Sequence, residues 1–429
     1  MALLFHHGVV QWLTSNALNT TISVTGLGFT PKALRFYWVG IQSNPPTNAA
    51  SQVLSERRGI GFAVSPTSRR TVGTFNQDGA GSANCGSVEA NNSVVITVDG
   101  NGTVDGRLDI NSFDSDGFTL IVDDVTPANI SVFYEAWGGD DITVAEVGDI
   151  GEPAATGNQT YTVNGFTSDG QNQVIMFAGI QSSAAINTGQ AQDSGICVGF
   201  ASSTNPRNNI TICGNSDDGS NTMDTDGYVI TGECLSMVIR AGGNISARAR
   251  LDSWGTNSFT LNWLQRATTG RGYIYLAIKG GSWEANGVTI DGSVLNSTVR
   301  TGPLPFSPVG ITAFTRNAGL NSPGTTFAQD IMAWGSGKSI TSRNSVGCFD
   351  ENGTANVEIN LTISYDSLLE MPSGTGTSST TFDINNFGLN SIEFITEVAG
   401  GSSVAFIGYL VFGTTRIPRP ISIGHPFIN

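Results

Sequence analysis

The feature that most constrains this chain is a stretch that is written three times. Residues 111–139 read NSFDSDGFTLIVDDVTPANISVFYEAWGG, and related stretches follow at residues 252–281 and, with more differences, at residues 385–413. Aromatic residues recur in register in these copies: Phe113, Trp254 and Phe387; Phe118 and Phe259; Tyr134, Tyr275 and Tyr409. Self-similarity at a long period indicates one structural module repeated along the chain. Two apolar runs separated by a polar link predict that each copy is a β-hairpin.

The composition favours short strands and frequent turns over helices. Of the 429 residues, 54 are glycine and only 13% are charged, with Lys and Arg together numbering 20. Glycine and asparagine tolerate the backbone angles that tight turns require, whereas exposed helix faces are rich in Glu, Lys and Ala. Turn signals at intervals of about eight to twelve residues are typical of β-sandwiches. We therefore predict an all-β fold of three tandem β-sandwich, jelly-roll-like modules related by internal repeat.

The repeat places the module boundaries. The predicted modules cover residues 22–145, 146–284 and 285–413, the last being divergent, and an extended proline-rich tail covers residues 414–429. The Gly/Pro-containing stretch at 142–159 and its counterpart at 282–297 are predicted to be links between modules.

An apolar arm, residues 1–21, precedes the first module. Two interpretations are open: the arm completes the first sandwich as a strand, or it anchors the chain on a partner. In the second case the candidate assembly contacts are Leu3, Leu4, Phe5, Val10, Trp12 and Leu13.

Charge and length exclude several kinds of partner. The net charge of −15 disfavours nucleic acids, which bind cationic surfaces, and anionic lipid surfaces. No apolar run approaches the length of a membrane-spanning helix, and the N-terminus lacks the basic start and cleavage site of a signal peptide. We therefore expect neither nucleic-acid binding nor membrane insertion.

The five cysteines are predicted to be free thiols. Their number is odd and no C-x-x-C spacing occurs, so nothing indicates a disulfide framework or a zinc site. A pairing of Cys197 with Cys213 across a hairpin stays open, because one sequence cannot establish it.

Histidine placement argues against His-dependent catalysis. The three histidines, His6, His7 and His425, all lie at the termini, whereas a Ser-His-Asp or Cys-His centre needs an oriented imidazole inside a domain. No phosphate-binding loop is present either. We expect no cofactor and no enzymatic activity.

Carboxylate chemistry needs only two acids and is therefore the enzymatic alternative that stays open. The candidates near one turn of each copy are Asp109, Asp114, Asp116, Asp252 and Asp383. The simpler interpretation is that these aspartates cap turns. The doublets Arg57-Arg58 and Arg69-Arg70 are interpreted as solvated edge charges, with binding of an anionic sugar or an acidic partner as the alternative.

The sequence offers two candidate ligand sites, one for calcium and one for a sugar. Asp99, Asn101, Thr103 and Asp105 place oxygen donors at alternate positions, as in a calcium loop, but the closing Glu is missing and the segment is equally a hairpin turn. Trp254 and Trp263 are the candidate sugar-stacking residues. The alternative for both tryptophans is a place in the core.

Several segments resemble a module repeated in uncharacterised tailed-bacteriophage virion proteins. They are GFTPKALRFYWVG, RRGIGFAVS, DSDGFTLIV with SFTLNW, and YLAIKGG, and the resemblance extends over residues 22–139, 161–281 and 297–413. The third copy departs from the pattern, with Met332-Ala333-Trp334 in place of Gly-Phe-Ala. The resemblance implies a setting and brings no active-site residue.

These observations give a ranked set of functions. The first is a non-enzymatic structural protein on the surface of a phage particle, assembled in the host cytoplasm as a capsid decoration, minor capsid or tail component. It is expected to dock through its termini, to contact other virion proteins and to form a homo-oligomer. The second is a lectin-like adhesin that recognises a host surface glycan, and the last is an enzyme acting on polysaccharide.

Overall fold

The fold is all-β, as the composition predicts. The computed structural model describes residues 2–53, 55–77, 84–203, 205, 208–216, 218, 225–239, 244–267, 271–316, 330–350, 359–373, 378–400 and 404–415. Over these residues 32 strands form six sheets, and every strand pairing is antiparallel. Within the same residues no helix is long and apolar enough to cross a membrane.

The strands fall into three consecutive sets. The first set is β1 (Leu4–Trp12), β2 (Thr21–Thr25), β3 (Pro31–Trp38), β4 (Ala49–Val53), β5 (Ser55–Ser65), β6 (Ser68–Gln77), β7 (Asn84–Ala90), β8 (Val95–Val98), β9 (Val104–Asp114), β10 (Gly117–Asp124) and β11 (Ile130–Gly138). The second set is β12 (Val144–Gly151), β13 (Gly157–Thr162), β14 (Gln173–Ile180), β15 (Gln190–Ala191), β16 (Ser194–Ala201), β17 (Asn209–Ser216), β18 (Thr225–Thr231), β19 (Leu235–Ile239), β20 (Asn244–Gly255), β21 (Ser258–Gln265) and β22 (Gly272–Lys279). The third set is β23 (Ser282–Ile290), β24 (Thr298–Arg300), β25 (Phe306–Arg316), β26 (Asp330–Ser339), β27 (Ser342–Asp350), β28 (Ile359–Ser364), β29 (Leu369–Pro372), β30 (Ser378–Phe387), β31 (Ile392–Val398) and β32 (Ala405–Thr415).

Each set builds one large and one four-stranded sheet with the same connectivity. Apart from one strand that another module adds to the first and to the third of them, the large sheets have the orders β1-β11-β3-β5-β6-β7, β12-β22-β14-β16-β17-β18 and β23-β32-β25-β26-β27-β28. The small sheets have the orders β2-β10-β9-β8, β13-β21-β20-β19 and β24-β31-β30-β29. We call each large sheet with its small sheet a module. The same strand order therefore occurs three times.

Each module encloses an apolar core between its two sheets. Phe118 and Tyr134 lie in the core of the first module, Phe259 and Tyr275 in that of the second, and Tyr409 in that of the third. Most of the aromatic residues that recur in the sequence are therefore core residues of a sandwich.

The other faces of the three large sheets form one shared core. Tyr37 and Trp137 of the first module, Met176 of the second, and Trp334 and Phe412 of the third belong to a single buried apolar cluster. Because sheets that are covered on both faces bury every residue, their strands read as continuous apolar runs rather than as alternating ones. In β14, QVIMFAGI, all eight residues are buried. The modules are therefore packed around a common centre.

The N-terminal arm and the predicted links are strands. β1 pairs with β11 from Leu4 opposite Gly138 to Trp12 opposite Ile130, which is the first of the two interpretations of the arm. β12 and β23 occupy the equivalent edges of the second and third large sheets. The stretches at 142–159 and 282–297 are therefore not flexible links: each begins the next module.

Two modules each add a short strand to the large sheet of another module. β4 comes from the connection between β3 and β5 and pairs with β28 of the third module. β15 comes from the equivalent connection of the second module and pairs with β7 of the first. An added strand covers backbone groups that a sheet edge would otherwise expose. Each added strand therefore joins two modules by hydrogen bonds as well as by apolar packing.

Candidate functional site

The segment proposed as a calcium loop is a hairpin turn in which both aspartates already have partners in the protein. The Oδ1 of Asp99 accepts hydrogen bonds from the backbone N–H groups of Asn101 (2.9 Å) and Thr103 (2.7 Å). Asp105 pairs with Arg57, with 2.8 Å between Oδ2 and Nη2. Among the described residues no group of three or more His, Cys, Asp or Glu side chains could hold a metal ion. The contacts support the hairpin-turn interpretation.

Two of the five candidate carboxylates join the two sheets of a module. Asp109 on β9 accepts from Nε (2.7 Å) and Nη2 (2.6 Å) of Arg69 on β6. Asp383 on β30 accepts from Nε and Nη2 of Arg343 on β27. Burial raises the pKa of both carboxyl groups, and the neighbouring arginine opposes that shift. A bidentate arginine holds a carboxylate in a fixed orientation, so these pairs act as braces between sheets.

The other three aspartates accept hydrogen bonds near turns. Asp114, Asp116 and Asp252 are acceptors, respectively, for the hydroxyls of Ser112 and Thr119, for the backbone N–H groups of Gly26 and Gly28, and for the side-chain amide of Asn158. These contacts support the turn-capping interpretation over a pair of catalytic acids.

The four arginines of the two doublets are paired with carboxylates. Their partners are Asp105 for Arg57, Glu56 and Asp350 for Arg58, Asp109 for Arg69, and Asp149 for Arg70. The pair of Arg70 with Asp149, at 2.7 Å, connects the first module to the second. These arginines therefore contribute to the architecture, and none presents an unpaired guanidinium to an anionic sugar.

Most of the apolar side chains of the N-terminal arm are used inside the molecule. Leu3, Val10 and Trp12 are buried, Phe5 packs against the shared core, Leu13 is half-buried and Leu4 is 37% exposed. The arm residues proposed as assembly contacts thus lie largely in the fold.

The five cysteines and His7 are buried inside the molecule. None of the five cysteines forms a disulfide. Cys197 and Cys213 do lie opposite each other on β16 and β17, and burial raises the pKa of the Cys197 thiol. Burial, with a smaller effect of Lys338, lowers the pKa of His7 to about 4, and its ring contacts Ser342 of the third module. His425 lies outside the described residues.

A buried polar cluster, which sequence analysis missed, joins all three modules. Asn76 on β6, Ser216 on β17 and Asp350 on β27 come from the same strand of each module and meet at one point: Asn76 Nδ2 donates to Ser216 Oγ (3.2 Å) and to Asp350 Oδ2 (2.7 Å), and Ser216 Oγ donates to the same Oδ2 (2.7 Å). Glu56 lies opposite Asn76 in register, as Ser194 lies opposite Ser216. The convergence of equivalent positions indicates a pseudo-threefold axis.

A second buried polar contact lies further along this axis. Arg35 Nη1 is 3.2 Å from both oxygens of Glu135 and donates to Thr312 Oγ1 of the third module at 2.5 Å. Arg35 and Glu135 are 1% and 0% exposed. The guanidinium also lies over the rings of Tyr37 and Phe200, the latter from the second module. This one side chain therefore contacts all three modules.

The junctions between consecutive modules contain recesses in equivalent places. The first junction has a recess of about 350 Å³ whose apolar lining includes Val64, Pro66 and Phe113 of the first module and Ile142 and Val144 of the second. The second junction has a recess of about 360 Å³. Trp254, which matches Phe113 in the repeat, lines it together with Trp283 of the third module. The framework is shared, but the chemistry of the two linings differs.

The lining of the second recess is polar. Its side chains are Asp169, Gln171, Asn172, Gln173, Ser202, Ser203, Ser282, Trp254, Trp283, Pro305 and Phe306, with Gly170 completing the turn. Of the two tryptophans proposed as sugar-stacking residues, Trp254 lies here at 9% exposure, whereas Trp263 is 1% exposed and donates its Nε1–H to Tyr161 Oη at 3.1 Å. Trp263 is thus a core residue. Trp283 escaped sequence analysis because it falls in a predicted link.

Comparison of the sequence with models of known protein families and with curated proteins gives no match.

Proposed function

We propose that this chain is a non-enzymatic structural protein exposed on the surface of a phage particle, where it acts as a single-chain, preassembled threefold unit. The observation that carries the proposal is the threefold recurrence of one strand order around a shared core. Three copies of a small chain would give such an arrangement as a trimer, because identical subunits usually associate in closed symmetric assemblies. Here one chain supplies all three modules.

The contacts between modules support a rigid body. They include the two added strands, β4 and β15, the shared apolar core, and the cluster formed by Asn76, Ser216 and Asp350. Separating the modules would expose this core and leave buried polar groups without partners, at a cost of about 1–3 kcal/mol for each unsatisfied group. Such a body suits a part of a particle shell or tail that must keep its shape.

The occupied carboxylates support a role without catalysis. Asp109 and Asp383 brace sheets, and Asp114, Asp116 and Asp252 accept hydrogen bonds near turns. A polysaccharide-cleaving pair would need one acid to donate a proton and another to reach the sugar, whereas these five groups already have partners in the fold. Five buried cysteines without a disulfide suit folding in a reducing compartment, such as the host cytoplasm.

Docking is proposed through the end of the axis at which Ala2 and Thr414 line one recess, together with Gly280 and Gly281. We call this the terminus end. The strands of the large sheet run from this end to the opposite end, where Asn76 and its partners meet. A threefold-symmetric body binds most simply on its axis, at a threefold or quasi-threefold position of a particle.

The test is the location of the protein in purified particles. We expect it to co-sediment with phage particles in a density gradient, and we expect cryo-electron microscopy to show a three-lobed body centred on a threefold position of the capsid or tail. Absence of the protein from gradient-purified particles, while it accumulates in infected cells, would refute the structural role.

A pair of tagged variants tests which end docks. A fluorescent protein fused ahead of Met1 occupies the terminus end, whereas the same protein inserted at Asn101, in an exposed turn at the opposite end, leaves that end free. We expect only the Asn101 insertion to enter particles. Incorporation of the Met1 fusion alone would place the docking surface at the opposite end.

A further inference from the structure

We infer that the recess between the second and third modules binds a neutral sugar through Trp254, Trp283 and the turn at residues 169–172. This site goes beyond the proposed structural role and does not depend on it. Because Asp169, Gln171 and Asn172 also line the recess at the terminus end, the site is a property of the free chain and is tested there. Sites for small ligands are typically concave, lie at domain junctions and combine aromatic surface with a few convergent polar groups. The recess, with its two indoles and its amide and hydroxyl side chains, has these features.

The turn that forms one wall is held in place by its own hydrogen bonds. Asp169 Oδ1 accepts from Thr167 Oγ1 (2.7 Å) and from the backbone N–H of Gln171 (3.1 Å), and the Asn172 carbonyl accepts from the backbone N–H of Gly280 (2.8 Å). Gly170 has φ +66°, and a Cβ atom there would lie 2.3 Å from Cδ1 of Trp254. The backbone of the turn therefore lies directly against the indole, and no residue larger than glycine fits.

Three polar groups at the recess have no hydrogen-bond partner among the described residues. Among the described residues no hydrogen bond is made by Nε1 of Trp254 or by the side-chain amides of Gln171 and Asn172, and both amides are exposed. By contrast, Trp283 donates its Nε1–H to the carbonyl of Gly280 at 2.6 Å. Asn172 also has φ +55°, an angle uncommon for a non-glycine residue. An indole donor and two amides with both donors and acceptors can therefore bind a ligand.

The charge of the lining selects the class of ligand. Hydrogen bonds from Thr167 and Gln171, with a smaller effect of the nearby Lys279, lower the pKa of Asp169, which keeps this carboxylate ionised. Among the described residues that line the recess, none is Lys or Arg. An anionic sugar would be repelled, while one carboxylate is too few for a metal cation. Vicinal hydroxyls match the mixture of donors and acceptors, and the C–H groups of a sugar ring pack favourably on the apolar surface of an indole, whose ring face is electron-rich. The volume of about 360 Å³ accommodates one or two sugar rings.

The recess of the first junction is the natural comparison. Its framework is equivalent, but the lining is apolar around Phe113 and includes Lys32, whose Nζ donates to the Ile142 carbonyl at 2.8 Å. Thr30, an exposed residue on the turn before β3, corresponds to Gln171 on the turn before β14. The chain thus supplies a matched control position that lacks the polar site.

Saturation-transfer-difference NMR on the full chain tests the site with a panel of free sugars. The panel contains glucose, galactose, mannose, rhamnose and N-acetylglucosamine, with glucuronate and glucose 6-phosphate as anionic comparisons. We expect at least one neutral sugar to show saturation transfer with saturable, millimolar binding, and both anionic sugars to show none. Absence of binding by every neutral sugar, or equal binding of the anionic ones, would overturn the inference.

Three variants locate the binding. Gln171→Ala combined with Asn172→Gly removes both amides and keeps a residue that tolerates positive φ; Trp254→Phe removes the indole donor. We expect each to weaken binding at least tenfold at an unchanged circular dichroism spectrum, while Thr30→Ala leaves binding unchanged. Because the double variant alters only exposed side chains, it stays informative if Trp254→Phe fails to fold. Unchanged affinity in the double variant would place the sugar elsewhere and refute the site.

Discussion

Replacing Arg35 tests how the three modules are held together. Arg35 and Glu135 are both fully buried, and Arg35 also donates to Thr312 of the third module. Arg35→Met leaves the Glu135 carboxylate buried without its counter-ion, and removing one partner of a buried ion pair costs about 3–5 kcal/mol. We expect a loss of this size in the free energy of unfolding.

The chain provides the matched control for this variant. The equivalent register pair of the second module is Met176 opposite Leu276, at the place where the first module has Arg35 opposite Glu135. The double variant R35M/E135L copies this apolar pair, so no charge is left buried. Because well-packed apolar replacements of buried ion pairs are often neutral or stabilising, we expect the double variant to lie within about 1.5 kcal/mol of the parent.

Urea unfolding measures both variants. Tryptophan fluorescence and far-UV circular dichroism are followed together, because coincident transitions justify a single free energy of unfolding. A loss below about 1 kcal/mol for Arg35→Met would mean that the site is not as dry as its burial indicates. A double variant as unstable as the single one would mean that the loss comes from packing and not from the unpaired charge.

Three further outcomes follow from the structure. A Cβ at Gly199 would lie 1.9 Å from the carbonyl oxygen of Cys234, which faces it from the small sheet, so Gly199→Ala should lower the midpoint of thermal unfolding strongly. Gly151→Ala is the control: a Cβ there has nothing within 4 Å, and the midpoint should stay within a few degrees. Equal effects of the two variants would contradict the close approach at Gly199. Burial, reinforced by Asp149, raises the pKa of Glu89 from 4.5 to about 7. The unfolded state loses this proton first, so stability should fall as pH rises from 4.5 to about 7. Glu89→Gln should remove that part of the pH dependence of urea unfolding, and an unaltered pH profile would refute it. The five buried thiols should not react with Ellman's reagent until the protein is unfolded, and rapid reaction of the native protein would contradict their burial.

The sequence was sufficient for the fold class and for much of the module core. The recurrence of Tyr134 at Tyr275 and Tyr409 correctly indicated core positions, because an aromatic kept in register across copies fills the same space in each sandwich. The continuous run QVIMFAGI in β14 carried a further signal of burial on both faces. That signal points to a covered sheet without saying what covers it.

The relation between modules was not predictable from the repeat. The contact of Arg35 with Thr312 joins residues far apart in the chain, and nothing local in either segment indicates the other. The apolar start of the chain resembled an arm because its partner, β11, lies more than a hundred residues later. Trp283 was missed for a similar reason: its recess exists only where two modules meet.

Small-angle X-ray scattering tests most directly the central claim that the three modules form one body around a shared core. A compact body of 429 residues should have a radius of gyration of about 22 Å. Three separate sandwiches joined in a row by links would give about 33 Å, by the same size relation applied to each module. A value near the smaller figure with a bell-shaped Kratky plot is the predicted result, and a value near the larger one would contradict the shared core.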